Sequence, residues 1–404
     1  MKHLYLINNL NSIAAKYGIG TYFDQVISAL KHETELKITI LNLNASDLSI
    51  NEEDNVRYIN IPIIKSSLPE KIYEKRYYNS VIVLLNSFIN KSDHNIFHFH
   101  YLNQLLLLKL LKNEYRNSIF IVTIHYFVWQ FQLKGDITSF EKIVSNKRKN
   151  KSLLDKEIYS EYIRNKKFFT TVDHIIVLSQ ETFSIVQNLY KINESKLILY
   201  PNKIFDTIRE KDQIIISNDL KAQMGFKGKR IILFVGRLDD NKGITELIQS
   251  MNKVIFRIPQ AVLVIIGNGN FDKYMNLCKN IWSNVIFTGK LSIHEIYEFY
   301  RIADVGILLS FHEQCSYVAI EMMMHGLPII GTNIGGLNKM LDKDCTININ
   351  RSSTGLTLSD KDISETIIRI LNKENINRRI SYRNRYLKHY SQSIYKLKAF
   401  YGKL

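Results

Sequence analysis

The sequence predicts an α/β protein of two successive units, each built on a doubly wound parallel sheet. Three observations carry this. Short apolar runs of strand length alternate with helical-period segments along the chain, a pattern that places parallel strands in a sheet with helices on both faces. The pattern stops at a polar connector, residues 203–230, and restarts at Ile231. The length of 404 residues suits two domains better than one.

In the first unit, Leu4 to Ile7 reads as a strand. A polar loop ends in Tyr17-Gly18-Ile19-Gly20, and a helix over 21–30 carries Phe23, Val26, Ile27 and Leu30 at helical spacing. Strand, glycine loop and helix can face a phosphate, although two glycines alone often do no more than turn the chain. Further strands are expected at 38–43, 56–61, 96–100, 119–124, 175–178 and 196–200, and helices at 71–89 and 102–111. Ligands of such sheets bind at the carboxyl ends of the strands, so Gly18, Gly20, His100 and His125 share one rim. His98 and His100 read as strand-end surface residues. His125 follows a buried strand directly and is the better functional candidate.

In the second unit, strand 231–235 leads into a loop with Arg237 and Lys242, then a helix over 245–256. Strand 261–266 precedes Gly267-Asn268-Gly269. A helix over 272–280 precedes strand 285–287 with Thr288-Gly289, and another helix spans 293–302. The stretch Ser310 to Gly336 reads as loop, helix, strand and glycine turn. Ser316 is placed as N-cap of a helix over 317–325 and Gly326 as its C-terminal stop. A helix start behind a polar loop favours anions. Glu313 and Glu321 would repel a bare phosphate there, but they suit a ligand with hydroxyls beside its phosphates, which describes a nucleotide sugar. Arg237 and Lys242 offer a planar fork and a point charge to a diphosphate. The plainer alternatives are that both cations and Glu313 are solvated loop residues and that Glu321 pairs locally. Residues 360–404 read as two or three helices, the last with Ile394, Leu397, Phe400 and Tyr401 at near-helical spacing.

Hydrophobic content of 46% and charged content of 23% are those of a soluble globular protein. No signal peptide and no apolar run of transmembrane length is visible, and three scattered cysteines suit a reducing compartment, so the expected location is cytoplasmic. The net charge of +16 is unevenly spread: residues 351–404 hold 12 Lys and Arg against 4 Asp and Glu, and residues 141–167 hold 9 against 4. Such surfaces can meet anionic lipid or an acidic acceptor, or reflect an AT-rich genome. No nucleic-acid-binding module is present.

Together these residues resemble the family 4 retaining glycosyltransferases of the GT-B fold, two Rossmann-like domains facing a central cleft. Gly236-Arg237-Leu238 with Lys242-Gly243 is similar to the family's donor-diphosphate loop, Glu313 through Glu321 to its E-x7-E signature, and Gly326-Leu327-Pro328-Ile329-Ile330 with Gly335-Gly336 to its G-x-P-V-V…G-G segment. The glycines Gly18 and Gly20, His125, and Tyr200-Pro201-Asn202 fit less sharply. The resemblance implies that Arg237 and Lys242 bind the diphosphate and stabilise it as leaving group, without a metal or a further cofactor. It implies that Glu321 binds the ribose, Glu313 the sugar hydroxyls, and backbone N–H groups near Ser316 and Gly18 the phosphates. Gly267, Gly289 and Leu291 would border the base, and His125 the transferred sugar. The chain departs from the family at Gln314-Cys315-Ser316, where many members carry Phe-Gly after the glutamate, and at Lys203 and Lys339.

The expected organisation is an acceptor-side domain over 1–203, packed by a tail helix over 386–404, and a donor domain over 204–385. The expected reaction moves a sugar from a nucleoside-diphosphate sugar, UDP favoured, to a glycan, lipid-linked or protein/peptide acceptor, with peripheral contact to an anionic membrane and no nucleic-acid partner. A nucleotide-sugar epimerase of the same fold and a non-catalytic partner subunit are the alternatives.

Overall fold

The computed structural model describes the chain apart from residues 1, 17, 32, 34, 65–66, 68, 146–151, 209–215, 353–354, 374–375, 393 and 404. Tyr17 of the glycine loop, part of the basic stretch 141–167, and the side chains of Ile394 and Leu397 lie outside the described residues. The chain divides into two compact units, one comprising 1–127, 138–201 and 392–404, the other 128–137 and 202–391.

The first unit contains β1 (Lys2–Asn9), α1 (Gly18–Leu30), β2 (Leu36–Ala45), β3 (Ser49–Glu53), β4 (Val56–Pro62), α2 (Glu70–Leu85), β5 (His94–Phe99), α3 (Leu105–Glu114) and β6 (Ile119–Ile124). After α4 (Val128–Gln132) come α5 (Ile137–Ser145), α6 (Leu153–Thr171), β7 (His174–Val177), α7 (Gln180–Asn188) and β8 (Leu197–Leu199). Among the described residues these strands form an eight-stranded sheet in the order β3-β4-β2-β1-β5-β6-β7-β8, parallel except for β3 against β4. Its central strands are buried almost throughout, as expected for a parallel sheet.

The second unit begins with α8 (Asn218–Gln223), β9 (Arg230–Val235), α9 (Ile244–Arg257), β10 (Ala261–Ile266), α10 (Phe271–Leu277), β11 (Val285–Gly289), α11 (Ile293–Ile302), β12 (Val305–Leu308), α12 (Tyr317–Met324) and β13 (Ile329–Thr332). It continues with α13 (Gly335–Asn338), β14 (Thr346–Ile347), the hairpin β15 (Asn350–Ser352) and β16 (Gly355–Thr357), and the helices α14 (Asp360–Leu371) and α15 (Ile376–His389). The parallel sheet runs β11-β10-β9-β12-β13-β14. One core of Ile, Leu, Val and Met side chains from α9, β9, β10, β12 and α14 fills it. The last helix, α16 (Ile394–Lys403), belongs to the first unit, where it packs on α1.

Several expectations are corrected. The glycine loop is helical from Gly18 onward, because the turn over 13–16 supplies the bend instead. His98 and His100 are 0% and 2% exposed rather than at the surface, since they alternate with Phe97 and Phe99 on a strand covered on both sides. Gly335-Gly336 opens a short helix, not a turn. The tail of the first unit begins at 392 instead of 386, as α15 runs through 386 within the second unit, and residues 128–137 group with the second unit.

Candidate functional site

The strand ends of the second sheet gather most of the predicted residues. After β9 the chain turns at Gly236, and its amide bonds to the Ile266 carbonyl at 2.9 Å. The Leu238 amide reaches Asn268 O at 2.9 Å and the Gly267 amide reaches Gly289 O at 2.9 Å, so the three loops after β9, β10 and β11 lie side by side. Gly267 allows this: a Cβ there would stand 1.8 Å from the Gly236 carbonyl oxygen. Leu291 follows in the same stretch, one residue before Ser292, which caps α11 in a capping box with Glu295.

Arg237 pairs with Asp239, and its guanidinium sits 6.0 Å from the Phe131 ring. Lys242 ends a short 3-10 turn before α9, and its Nζ pairs with Glu313. Glu313 also accepts from Ser310 Oγ at 3.0 Å. Burial pushes the Glu313 carboxyl upward, but the Lys242 charge, with the bonds from Lys242 and Ser310, outweighs it and holds the carboxyl below its ordinary range. The loop of Lys242 and that of Glu313 are tied by the Phe311 amide on Asn241 O at 2.9 Å. Gly336 closes the far side, where a Cβ would meet Glu313 O at 2.0 Å.

Ser316 caps α12, accepting from the Ala319 amide at 3.2 Å. One turn further on, Glu321 is buried and accepts from Tyr300 Oη at 2.9 Å. Burial pushes its carboxyl up to about 7, with the Tyr300 bond acting in the opposite sense. Cys315 is buried, and burial pushes its thiol up to about 12, so it holds its proton at neutral pH.

Residues 128–137 escaped the sequence reading. Gln130 Oε1 accepts from Gln314 Nε2 at 3.1 Å, the Phe131 ring stands edge-on to His312 at 4.4 Å, and Lys134 lies 4.9 Å over the Phe311 ring. They thereby hold the loop 311–314, at whose end Gln314-Cys315-Ser316 departs from the family pattern. Asn202 Nδ2 donates to Cys315 O at 2.8 Å. No local motif marks 128–137, because its partners lie some 180 residues downstream. Tyr300 was equally unmarked.

In the first unit, Gly18 and Gly20 form the first turn of α1. His125 Nε2 and His100 Nδ1 share a hydrogen bond of 3.0 Å, while His100 Nε2 has no partner among the described residues. A buried acceptor without a partner costs less than a buried N–H without one, so His100 carries its proton on Nδ1 and donates to His125. Neutral His125 then carries its own proton on Nδ1 and is a donor. Burial pushes His125 to about 3 and His100 well below its ordinary range. Beneath them His98 bonds Tyr401 Oη at 2.9 Å and Thr123 Oγ1 at 2.7 Å.

Among the described residues, Asp342, Asp344 and Cys345 bring metal-ligating atoms together. Arg378, Arg369 and Arg385 already neutralise them at 2.7 to 2.9 Å, which leaves no charge for an ion. No helix among the described residues is long and apolar enough to cross a membrane.

Residues 217–386 match the family described as glycosyl transferases group 1. An uncharacterized glycosyltransferase of Methanocaldococcus jannaschii is 36% identical over 116 residues, 28% of this chain and 30% of that protein. The putative glycosyltransferase YtcC of Bacillus subtilis is 25% identical over 321 residues, 76% of this chain and 69% of that protein. The chain thus spans from under a third to about two thirds of the length of such curated relatives. Among solved structures, HepE of Anabaena in complex with UDP and glucose shares the two-sheet GT-B fold, with TM-score 0.69 at 11% identity over 100% of this chain and 98% of that one.

Proposed function

We propose that the chain, whose residues 217–386 match the family described as glycosyl transferases group 1, transfers a sugar from a nucleoside-diphosphate sugar to a hydroxyl of a glycan, lipid-linked or protein/peptide acceptor, with retention at the anomeric carbon. The observation that carries this reading is the Lys242–Glu313 pair beside Arg237, at the strand ends of a parallel sheet. Each cation rests on a carboxylate, Lys242 on Glu313 and Arg237 on Asp239. A donor would let each exchange partners. The diphosphate takes the two cations, and Glu313 turns its freed oxygens to sugar hydroxyls.

The acceptor oxygen then forms its bond to the anomeric carbon on the face from which the diphosphate departs. The bond from that carbon to the diphosphate oxygen breaks, and a diphosphate oxygen takes the acceptor proton. Arg237 and Lys242 stabilise the charge that develops on the leaving group. Glu321 accepts from the ribose hydroxyls. UDP is the nucleotide we place first, because the Anabaena structure holds it. A place beside an anionic membrane would follow from the basic segments.

The test is product analysis with UDP-, GDP- and ADP-sugars and an acceptor panel. Transfer releases nucleoside diphosphate and an α-linked product from an α-linked donor. An epimerase would return an altered nucleotide sugar and no free diphosphate. Unchanged turnover in R237A, K242A and E321A together would refute the site.

A further inference from the structure

The six-stranded sheet has a second edge. At the strand starts, opposite Arg237 and Lys242, a cavity of about 810 Å3 opens beside Arg230, the first residue of β9. Among the described residues, five cations line it, Lys221, Lys229, Arg230, Lys373 and Arg379, against one carboxylate, Asp304.

Asp304 is 2% exposed and fully engaged. Its Oδ2 accepts from Lys221 Nζ at 2.8 Å and from the Ile231 amide at 2.7 Å, and its Oδ1 from Arg230 Nη1 at 3.0 Å. Arg379, also 2% exposed, stands outside that arrangement. Its Nη2 donates to Ala303 O at 3.2 Å and more weakly to Tyr300 O at 3.5 Å, while Nε and Nη1 are buried without a hydrogen-bond partner among the described residues.

An unpaired buried charge is costly, and one carboxylate cannot neutralise Lys221, Arg230 and Arg379 together. Arg379 keeps three unused N–H donors, and a guanidinium with free donors binds phosphate oxygens well. Lys229 and Lys373 are exposed and add two mobile point charges at the rim. We infer that this cavity is a second anion site, for a small soluble molecule carrying a phosphate or diphosphate group, apart from the donor loop. A lipid headgroup offers the same chemistry, but a bilayer surface does not reach a side chain buried as deeply as Arg379.

The test is calorimetric titration of the full chain with inorganic pyrophosphate, which both edges of the sheet should take. In R237A/K242A one binding event is expected to remain. Adding K229A/K373A should weaken it at least tenfold with the melting temperature unchanged, because both lysines are exposed. R379Q should weaken it further; if that protein does not fold, the lysine variant decides. Loss of all binding in R237A/K242A, or an affinity indifferent to Lys229 and Lys373, would overturn the site. An R237A/K242A protein that binds as the parent does, yet loses binding with K229A/K373A, would uphold this site and count against the donor loop. Pelleting with phosphatidylglycerol vesicles should be the same with and without the lysine substitutions. Loss of pelleting on substitution would overturn the soluble-ligand assignment.

Discussion

At Lys242 one cation serves two states of the site. Its charge holds the Glu313 carboxyl ionised and, in the proposed reaction, is available to a leaving diphosphate. K242M should therefore lower kcat by about 100- to 1,000-fold, the usual cost of removing one group that stabilises developing charge. E313Q should spare diphosphate binding and raise KM for the sugar, and a kcat/KM comparison across UDP, UDP-sugar and sugar analogues separates the two effects. Glu321 makes a pH prediction. In the proposed role ribose hydroxyls donate to its carboxylate, so nucleotide binding would favour the ionised form, while burial holds the carboxyl at about 7. Affinity for UDP should rise as pH goes from 6 to 8. Y300F removes a bond that favours the carboxylate and should move the midpoint of that rise upward. E321Q should abolish the rise. Titration calorimetry at pH 6, 7 and 8 measures all three, and a pH-independent affinity in the parent protein would refute the ribose role. Glu313 and Glu321 stand out in the sequence through their resemblance to the E-x7-E signature, since their spacing around a capped helix start leaves a local role equally open. Tyr300 does not stand out, since a tyrosine on an amphipathic helix reads as core.

Among the elements, those with a strong apolar run or clear caps were read correctly. Helix α11 has the bounds 293–302 that the sequence predicts, and in the structure the Ser292–Glu295 capping box fixes its start. Strand β3 was missed because SINEE is nearly all exposed and lies at a sheet edge, where no apolar alternation is needed. The density of charge in residues 141–167 hides helices α5 and α6 in the sequence, although Phe140, Ile143, Phe168 and Phe169 are buried there. The contact of α13 with the Glu313 loop could not be read at all, since two glycines do not say what approaches them. It makes a prediction of its own. G336A places a methyl group against the Glu313 carbonyl and must push the loop outward. Displacement of a positioning group by about 1 Å can cost about 100-fold in rate. The expected outcome is a drop of that order in kcat/KM, with near-native circular dichroism. Unchanged kinetics would show that the loop shifts in the reaction anyway.

On the scale of the whole molecule, the chain returns its last helix to the first unit, where Tyr401 bonds His98 beneath the His100–His125 pair. That unit therefore encloses several neutral histidines. Burial pushes His3 to about 4, His98 and His125 to about 3, and His100 well below its ordinary range. A folded-state pKa depressed below the unfolded value of 6.5 means that the unfolded chain binds more protons as pH falls. The stability these groups contribute is complete above pH 6.5 and is lost progressively toward pH 3 to 4. The second unit has His312 at about 4 and His325 at about 3, which act in the same sense. Glu321 opposes them: a carboxyl raised from 4.5 to about 7 contributes stability that is present below pH 4.5 and is lost as pH rises through 7. Acidification from pH 7 to pH 5 should thus lower the unfolding transition of the first unit by about 5 °C or more and that of the second by less. Scanning calorimetry at the two pH values, with UDP added to identify the transition of the second unit, measures this. E321Q removes the opposing contribution and should make the second unit more acid-labile, though still less so than the first, which holds four such histidines against two among the described residues. Equal shifts in the parent protein, unaffected by E321Q, would mean that the buried histidines and Glu321 do not govern its response to pH.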